Sequence, residues 1–338
     1  MDLAELLDGI AVVDVRGDSS VSITSVTHDS RRASPGALFC CVPGRVSDGH
    51  DHAPDAVRAG AVALLCERPL DLGVTEVQVR DARAAMGPVA SAFHGRPSDH
   101  LDVIGVTGTN GKTTTTLLLG AILGAAGRPT GVIGTLSGAR TTPEATDLQA
   151  RLAELRDTGS VAVAMEVSSH ALALDRVAGT HFRLAVFTNL SQDHLDFHPT
   201  MEDYFAAKAR LFEPELTESA VVSADDPHGL LLAHAARVPT RTYSLADASD
   251  LVVGAASSTG TWRGAGARGG ADRARPAGGH RVRGGRRPAG RCGRHRRQGS
   301  RDHPDHRRRD RGVRRPRGRP PGAGLAIMTR SVRLRSCP

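Results

Sequence analysis

The chain has 338 residues, long enough for two domains with sizeable cores, and its 44 Lys+Arg against 36 Asp+Glu give a formal net charge of +8. No run of 18 apolar residues occurs, which excludes a transmembrane helix, and the opening MDLAELLDGI lacks the basic region of a secretory leader. Five cysteines (Cys40, Cys41, Cys66, Cys292, Cys337) with no CxxC spacing argue against a disulfide framework or a zinc site, so a reducing, cytoplasmic setting is expected.

Residues 1–20 read as a short helix followed by a loop. SITSVTHDS (22–30), GALFCCVP (36–43), AVALLCE (61–67) and VTEVQVR (74–80) read as strands, with a helix over APDAVRAG (53–60). DARAAMGPVASAF (81–93) is helical in composition, with Pro88 an interruption, and GRPSDH supplies the turn that closes a first α/β block at residue 98. LDVIGVT (101–107) is a buried-strand run that flows into a helix over GTNGKTTTTLLLGAILGAAG. RPTGVIG (128–134), VAVAMEV (161–167), LAVFTNL (184–190), AVVSADD (220–226) and RTYSL (241–245) read as further strands. Helices fall over DLQARLAELRDTG, MEDYFAAKARLF and HGLLLAHAAR. Continuous apolar strands alternating with helices predict a P-loop, doubly wound, mostly parallel sheet over residues 99–252, beside a small N-terminal α/β domain over 1–98.

Gly108-Thr109-Asn110-Gly111-Lys112-Thr113-Thr114 lies between a buried strand and a helix. Glycines there let backbone N–H groups face phosphate oxygens at a helix N-terminus, Lys112 suits the β- and γ-phosphates, and the Thr113 hydroxyl suits Mg²⁺. Val106 stands where the strict Walker spacing has glycine. Lys112 and Lys208 are the two lysines of the whole chain, arginine serving everywhere else, which points to chemistry a guanidinium cannot perform. Glu166, Asp193 and His194 fall at the ends of adjacent strand runs, a setting suited to a hard metal beside ATP; His194 and His198 taken alone would read as surface histidines, a reading that their combination with GTNGKT weakens.

GVTGTNGKTTT (105–115), TTP (141–143), MEVSSHALALDRV (165–177), FTNLSQDHLDFH (187–198) and YFAAKARLF (204–212) resemble the Mur ligase family, and within it the branch of UDP-N-acetylmuramoyl-dipeptide:amino-acid ligases (MurE type). THDSRRASPGALFCCVPGRVSDGH (27–50) resembles that family's N-terminal UDP-binding domain. The resemblance implies a ligase that uses ATP to add meso-diaminopimelate, or L-lysine, to UDP-N-acetylmuramoyl-L-Ala-D-Glu through an acyl phosphate. It implies two Mg²⁺ ions, one on Thr113 and Glu166, the other on His194 and a lysine carbamylated by CO₂, matched here by Lys208. Catalytic roles then fall to Lys112, Glu166, His194 and Lys208. Uridine contacts fall to Ser30 and the loop Arg45–Val46–Ser47, and muramoyl-peptide contacts to Thr141, Thr142, Ser168 and Arg176. Leu174 replaces a polar amide of the family, and His28 a usually apolar neighbour of the uracil. The family also implies a monomer without membrane attachment.

Near residues 252–262 the strand–helix grammar stops. Residues 261–338 hold 24 Arg and 4 Asp, with 15 Gly, 7 Pro and no Phe or Tyr, a net +20, whereas residues 1–260 hold 20 basic and 32 acidic residues, a net −12. Such a tail cannot bury enough apolar surface to offset chain entropy and is expected to be disordered, touching nucleic acid at most non-specifically. Its composition is that of a GC-rich gene read out of frame, and no DNPR-type motif of the family's C-terminal domain occurs. The chain itself is therefore expected to be inactive or nearly so. Two alternatives stay open from sequence: a non-catalytic remnant binding UDP-muramoyl peptide and ATP, with a basic tail, or another P-loop amide ligase such as a folylpolyglutamate synthase.

Overall fold

The computed structural model describes residues 1–44, 47–138, 140–193 and 196–244, with the backbone of 251 and 252. The tail from 253 onward, expected above to be disordered, lies outside the described residues. After a one-turn helix α1 (Leu3–Leu6), the stretch expected to be loop forms a strand, β1 (Val12–Arg16). It pairs antiparallel with β5 (Thr75–Val79), Val15 opposite Val77. Its alternation is masked in the sequence because it is an edge strand: Val13 is 55% exposed and its neighbours are Asp14 and Arg16.

The remaining strands of this sheet, β2 (Ser25–Thr27), β3 (Ala37–Cys40) and β4 (Ala61–Cys66), are parallel to β5, in the order β1-β5-β4-β3-β2. Helix α2 (Ala53–Arg58) joins β3 to β4, as expected. Helix α3 (Ala82–Phe93) begins at an Asp81 cap, whose carboxylate accepts from the Ala84 N–H. It runs through Pro88 without the expected interruption. The proline removes one donor, but the carbonyl left without it, on Ala84, sits at an exposed position. Leu38, Leu65, Val77, Met86 and Val89 form the core between this sheet and α3, each fully buried side chain contributing about 1.5–3 kcal/mol.

The second sheet is parallel throughout: β6 (Asp102–Thr107), β7 (Thr130–Ile133), β8 (Ala162–Glu166), β9 (Leu184–Phe187), β10 (Ala220–Ser223), β11 (Thr240–Ser244) and β12 (Leu251–Val252). Helices α4 (Lys112–Ala125), α5 (Ala145–Asp157), α6 (Ser169–Ala173), α7 (Met201–Ala209) and α8 (Pro227–Ala235) connect them. Leu148, Leu152, Leu172, Tyr204 and Leu232 from α5 to α8 pack on Val103, Met165 and Phe187 of the sheet, whereas α4 packs on a separate cluster of Ile104, Val106 and Val186. The order β12-β11-β10-β9-β6-β8-β7 places β6 where the chain stops building on one side and crosses to the other. The carboxyl end of such a strand opens the crevice in which α/β sheets hold ligands. Among the described residues, no helix is long and apolar enough to cross a membrane.

Candidate active site

The loop after β6 is shaped by two glycines at backbone angles that other residues adopt only under strain. Gly108 has φ +145°, and a Cβ built there would lie 1.9 Å from Thr188 Oγ1. Gly111, at φ +87°, turns the chain into α4. Residues after β9 hold the loop from outside: the Thr109 N–H donates to the Asn189 carbonyl at 2.8 Å, the Asn110 N–H to Asn189 Oδ1 at 3.0 Å, and Thr188 Oγ1 to the Asn110 carbonyl at 2.7 Å. Thr109 Oγ1 accepts from the Ser191 N–H at 2.9 Å and lies 3.2 Å from the Tyr204 hydroxyl. Thr188, Asn189 and Tyr204 were not singled out from the sequence, although Thr188 and Asn189 follow directly on an apolar strand.

Both lysines of the chain converge on this loop. Lys112 Nζ donates to the Gly108 and Thr109 carbonyls, each at 2.9 Å, and Lys208 Nζ donates to the same Gly108 carbonyl at 2.9 Å. Lys208 is 1% exposed, and its ammonium stands 4.4 Å from the centre of the Tyr204 ring. Burial, reinforced by the positive charge of Lys112, pushes its pKa down to about 7. Burial also lowers Lys112, against the pull of Glu166 and Asp193.

Glu166 closes the other side of the site from the end of β8, 1% exposed. It accepts from Thr113 Oγ1 at 3.0 Å and from the Thr135 N–H at 2.8 Å. A hydroxyl and a carboxylate in contact offer two oxygen donors of the kind that a hard divalent cation takes. Among the described residues, no group of three or more His, Cys, Asp or Glu is arranged to hold a metal ion. His194 lies outside the described residues, as do Arg45 and Val46. Thr114 sits exposed on the first turn of α4.

The residues expected to hold the peptide come together below this end of the sheet. Thr142 Oγ1 donates to the Glu166 carbonyl at 2.9 Å and accepts from the Ser168 N–H at 3.1 Å. Ser168 caps α6. Thr141 Oγ1 lies 3.1 Å from Thr135 Oγ1. Arg176 pairs with Glu144 at 2.9 Å, while its Nε is buried without a hydrogen-bond partner among the described residues. Leu174 contributes a carbonyl to Arg83 at 3.5 Å, so this position acts through its main chain. Ser30 and Ser47 lie at the other end, in the first sheet's loops, Ser47 Oγ being 2.7 Å from His52 Nε2. His28 Nδ1 is 2.7 Å from Thr146 Oγ1, and burial lowers its pKa. His198 is 4% exposed and its Nε2 lies 2.9 Å from Ser169 Oγ, because α6 and α7 enclose it with Tyr204; the surface alternative does not hold for it.

A glycine loop between a buried strand and a helix, at the switch point of a parallel sheet and carrying lysine and threonine at the helix start, defines an α/β protein of the P-loop type. The Mur ligase middle domain matches residues 106–264, and the Mur ligase family catalytic domain matches residues 22–94. The UDP-N-acetylmuramoyl-L-alanyl-D-glutamate--2,6-diaminopimelate ligase of Alkaliphilus metalliredigens is 44% identical over 245 residues, 69% of this chain and 49% of that protein. The protein of the same name from Streptomyces coelicolor is 47% identical over 256 residues, 72% of this chain and 50% of its own. The chain belongs to the Mur ligase family. It spans about half the length of the curated relatives it matches. Among solved structures, a UDP-N-acetylmuramoyl-L-alanyl-D-glutamate--2,6-diaminopimelate ligase superposes with a TM-score of 0.65 at 29% identity, covering 75% of this chain and 54% of the other. A MurF from Acinetobacter baumannii, at 23% identity and a TM-score of 0.56, covers the same shares and shares the fold.

Proposed function

We propose that the chain carries the uridine-nucleotide-binding portion (1–98) and the ATP-binding portion (99–252) of an ATP-dependent acid–amino-acid ligase. Its substrate is UDP-N-acetylmuramoyl-L-Ala-D-Glu, and the amino acid joined is 2,6-diaminopimelate, the one named in the relatives. The observation that carries this reading is the meeting of Lys112, Lys208, Thr113 and Glu166 around the Gly108 loop.

In the proposed reaction a carboxylate oxygen of the dipeptide attacks the γ-phosphorus, the bond to the β-phosphate oxygen breaks, and an acyl phosphate and ADP result. The amine then adds to the acyl carbon, loses a proton, and phosphate leaves. The N–H groups at the start of α4 and Lys112 would hold the phosphates, and the compact ammonium follows charge as it shifts towards ADP. Thr113 and Glu166 would hold one Mg²⁺, and Lys208 with His194 a second. Mg²⁺ supplies neutralisation of phosphate charge. Lys208 fits carbamylation because its buried amine, with a pKa near 7, spends much of its time neutral. The lone pair of the neutral amine bonds to CO₂ and the nitrogen then gives up one proton, leaving a carboxylate, so that from the ammonium form two protons are released in all; a guanidinium has no such lone pair. Arg176, Ser168 and Thr142 would orient the muramoyl peptide, and Ser30 with Arg45–Ser47 the uridine end.

Calorimetric titration of the whole chain tests the reading. Mg²⁺–ATP and UDP-N-acetylmuramoyl-L-Ala-D-Glu are each expected to bind at one site. Absence of heat and of thermal stabilisation with either ligand overturns it.

A further inference from the structure

Away from the phosphate loop, one carboxylate gathers three guanidinium groups from three separate stretches of chain. Glu144, its side chain 11% exposed at the start of α5, accepts from Arg176 at 2.9 Å through Oε1 and from Arg83 at 3.5 Å through Oε2, and also pairs with Arg140. Arg140 is 55% exposed, but Arg83 and Arg176, 20% and 15% exposed, share the one carboxylate largely out of water and leave an excess of positive charge there. That is a poor arrangement for stability alone, since desolvation of the unpaired charge opposes folding.

Arg83 distinguishes the cluster from an ordinary ion pair. It projects from α3 of the first sheet, 20% exposed, and its two terminal nitrogens point to different parts of the molecule. Nη2 donates to the Pro43 carbonyl at 3.1 Å, while Nη1 reaches the Leu174 carbonyl and Glu144, each at 3.5 Å. Pro43 precedes Gly44, whose N–H donates to the Ser47 carbonyl at 2.9 Å, so the Pro43 carbonyl lies next to the uridine-end contact Ser47. Leu174 and Glu144 flank the peptide contacts Thr142 and Arg176, and Arg176 Nη1 in turn donates to the Thr142 carbonyl at 3.5 Å. One planar fork therefore ties the turn at the uridine end to both segments at the peptide end, which a lysine, as a point charge, could not do at once.

We propose that Arg83, seated by Glu144, is a positioning residue that sets the spacing between the uridine-end turn and the peptide pocket, so that one UDP-muramoyl-dipeptide engages both. The inference rests on the reading above, because it treats the two ends as parts of one substrate site. Two linked contacts gain affinity only when the spacing lets both form together, so disturbing the spacing removes the linkage gain and leaves each end its own affinity.

The test is calorimetry on the whole chain and on Arg83→Met, Arg83→Lys and Glu144→Gln, titrated with UDP, Mg²⁺–ATP and UDP-N-acetylmuramoyl-L-Ala-D-Glu. Arg83→Met is expected to lose roughly tenfold in affinity for the intact ligand, with UDP and ATP unchanged to within about twofold. Arg83→Lys is expected to recover part of the loss, and Glu144→Gln to move the same way by less. Should Arg83→Met fail to fold, Glu144→Gln keeps the shape and one of the two acceptor oxygens and carries the same comparison. Unchanged affinity for the intact ligand overturns the positioning role, and so does an equal loss for all three ligands, which marks a merely structural residue. If the unaltered chain binds UDP and ATP but not the intact ligand, the functional reading fails together with the inference.

Discussion

The phosphate loop and the Glu144 cluster hold their groups by opposite means. Around Gly108 the restraints are backbone N–H groups, hydroxyls and amides, and charge enters only as two lysines on one carbonyl. Around Glu144 the restraints are ionic, with one carboxylate organising arginines from residues 83, 140 and 176. A loop fixed by dipoles keeps its shape whatever the charge of its ligand, as a site that passes from ATP to ADP requires. A cluster fixed by charge can bridge segments far apart in sequence, but it depends on every member.

The largest effect expected from breaking the first arrangement is that of Gly108→Ala. The added methyl group would need space now taken by Thr188 Oγ1 and a backbone angle that L-residues avoid. A destabilisation of about 2–4 kcal/mol and loss of measurable ATP binding are expected from thermal melts and titration. Lys208→Met comes next and is read through pH. The folded-state pKa of Lys208 lies near 7 against 10.5 for an ordinary lysine, so between these values the unfolded chain binds more protons than the folded one. Stability contributed by this group therefore rises with pH through that window and falls as pH drops towards 7. Melting temperatures of the parent between pH 7 and 9 should show a rising component that Lys208→Met lacks; identical slopes would count against a depressed pKa.

Thr113→Val sharpens the contrast more gently. It removes the 3.0 Å bond to Glu166 while keeping the shape, and is expected to weaken ATP about tenfold with Mg²⁺ present and hardly at all in EDTA. The smallest effect belongs to an ion pair that serves neither region. Arg237 is 64% exposed beside Glu213, and Arg237→Ala should shift stability by no more than about 0.5 kcal/mol in urea melts.

What could be read in advance follows the same divide. The β6–loop–α4 unit is written locally: an apolar run, glycines, then lysine and threonine, with no distant residue needed to make sense of it. Glu166 could be placed because its strand is continuous and apolar. The Glu144 cluster is not written locally, since Arg83 lies 61 positions away and nothing about one arginine among many marks its partner. The burial of His198 is not legible locally, because its cover of Ser169 and Tyr204 comes from two different helices. Strand β1 escaped notice because an edge strand has little to bury, and Pro88 misled because a helix tolerates the loss of one hydrogen bond at an exposed carbonyl.

The central place of β6 also orders events during synthesis. Strands β2 to β5 find partners nearby, Ser25 beside Ala37 and Ala63 beside Thr75, so three-quarters of the first sheet's pairings can form as the chain leaves the ribosome. Strand β6 emerges early but pairs Ile104 with Ala164 on one side and Leu184 on the other. Loop closure over such separations is slow relative to neighbouring strands. The nascent phosphate loop thus waits, with its apolar strand uncovered, until some 80 further residues have been made, and that interval is when a chaperone has most to protect.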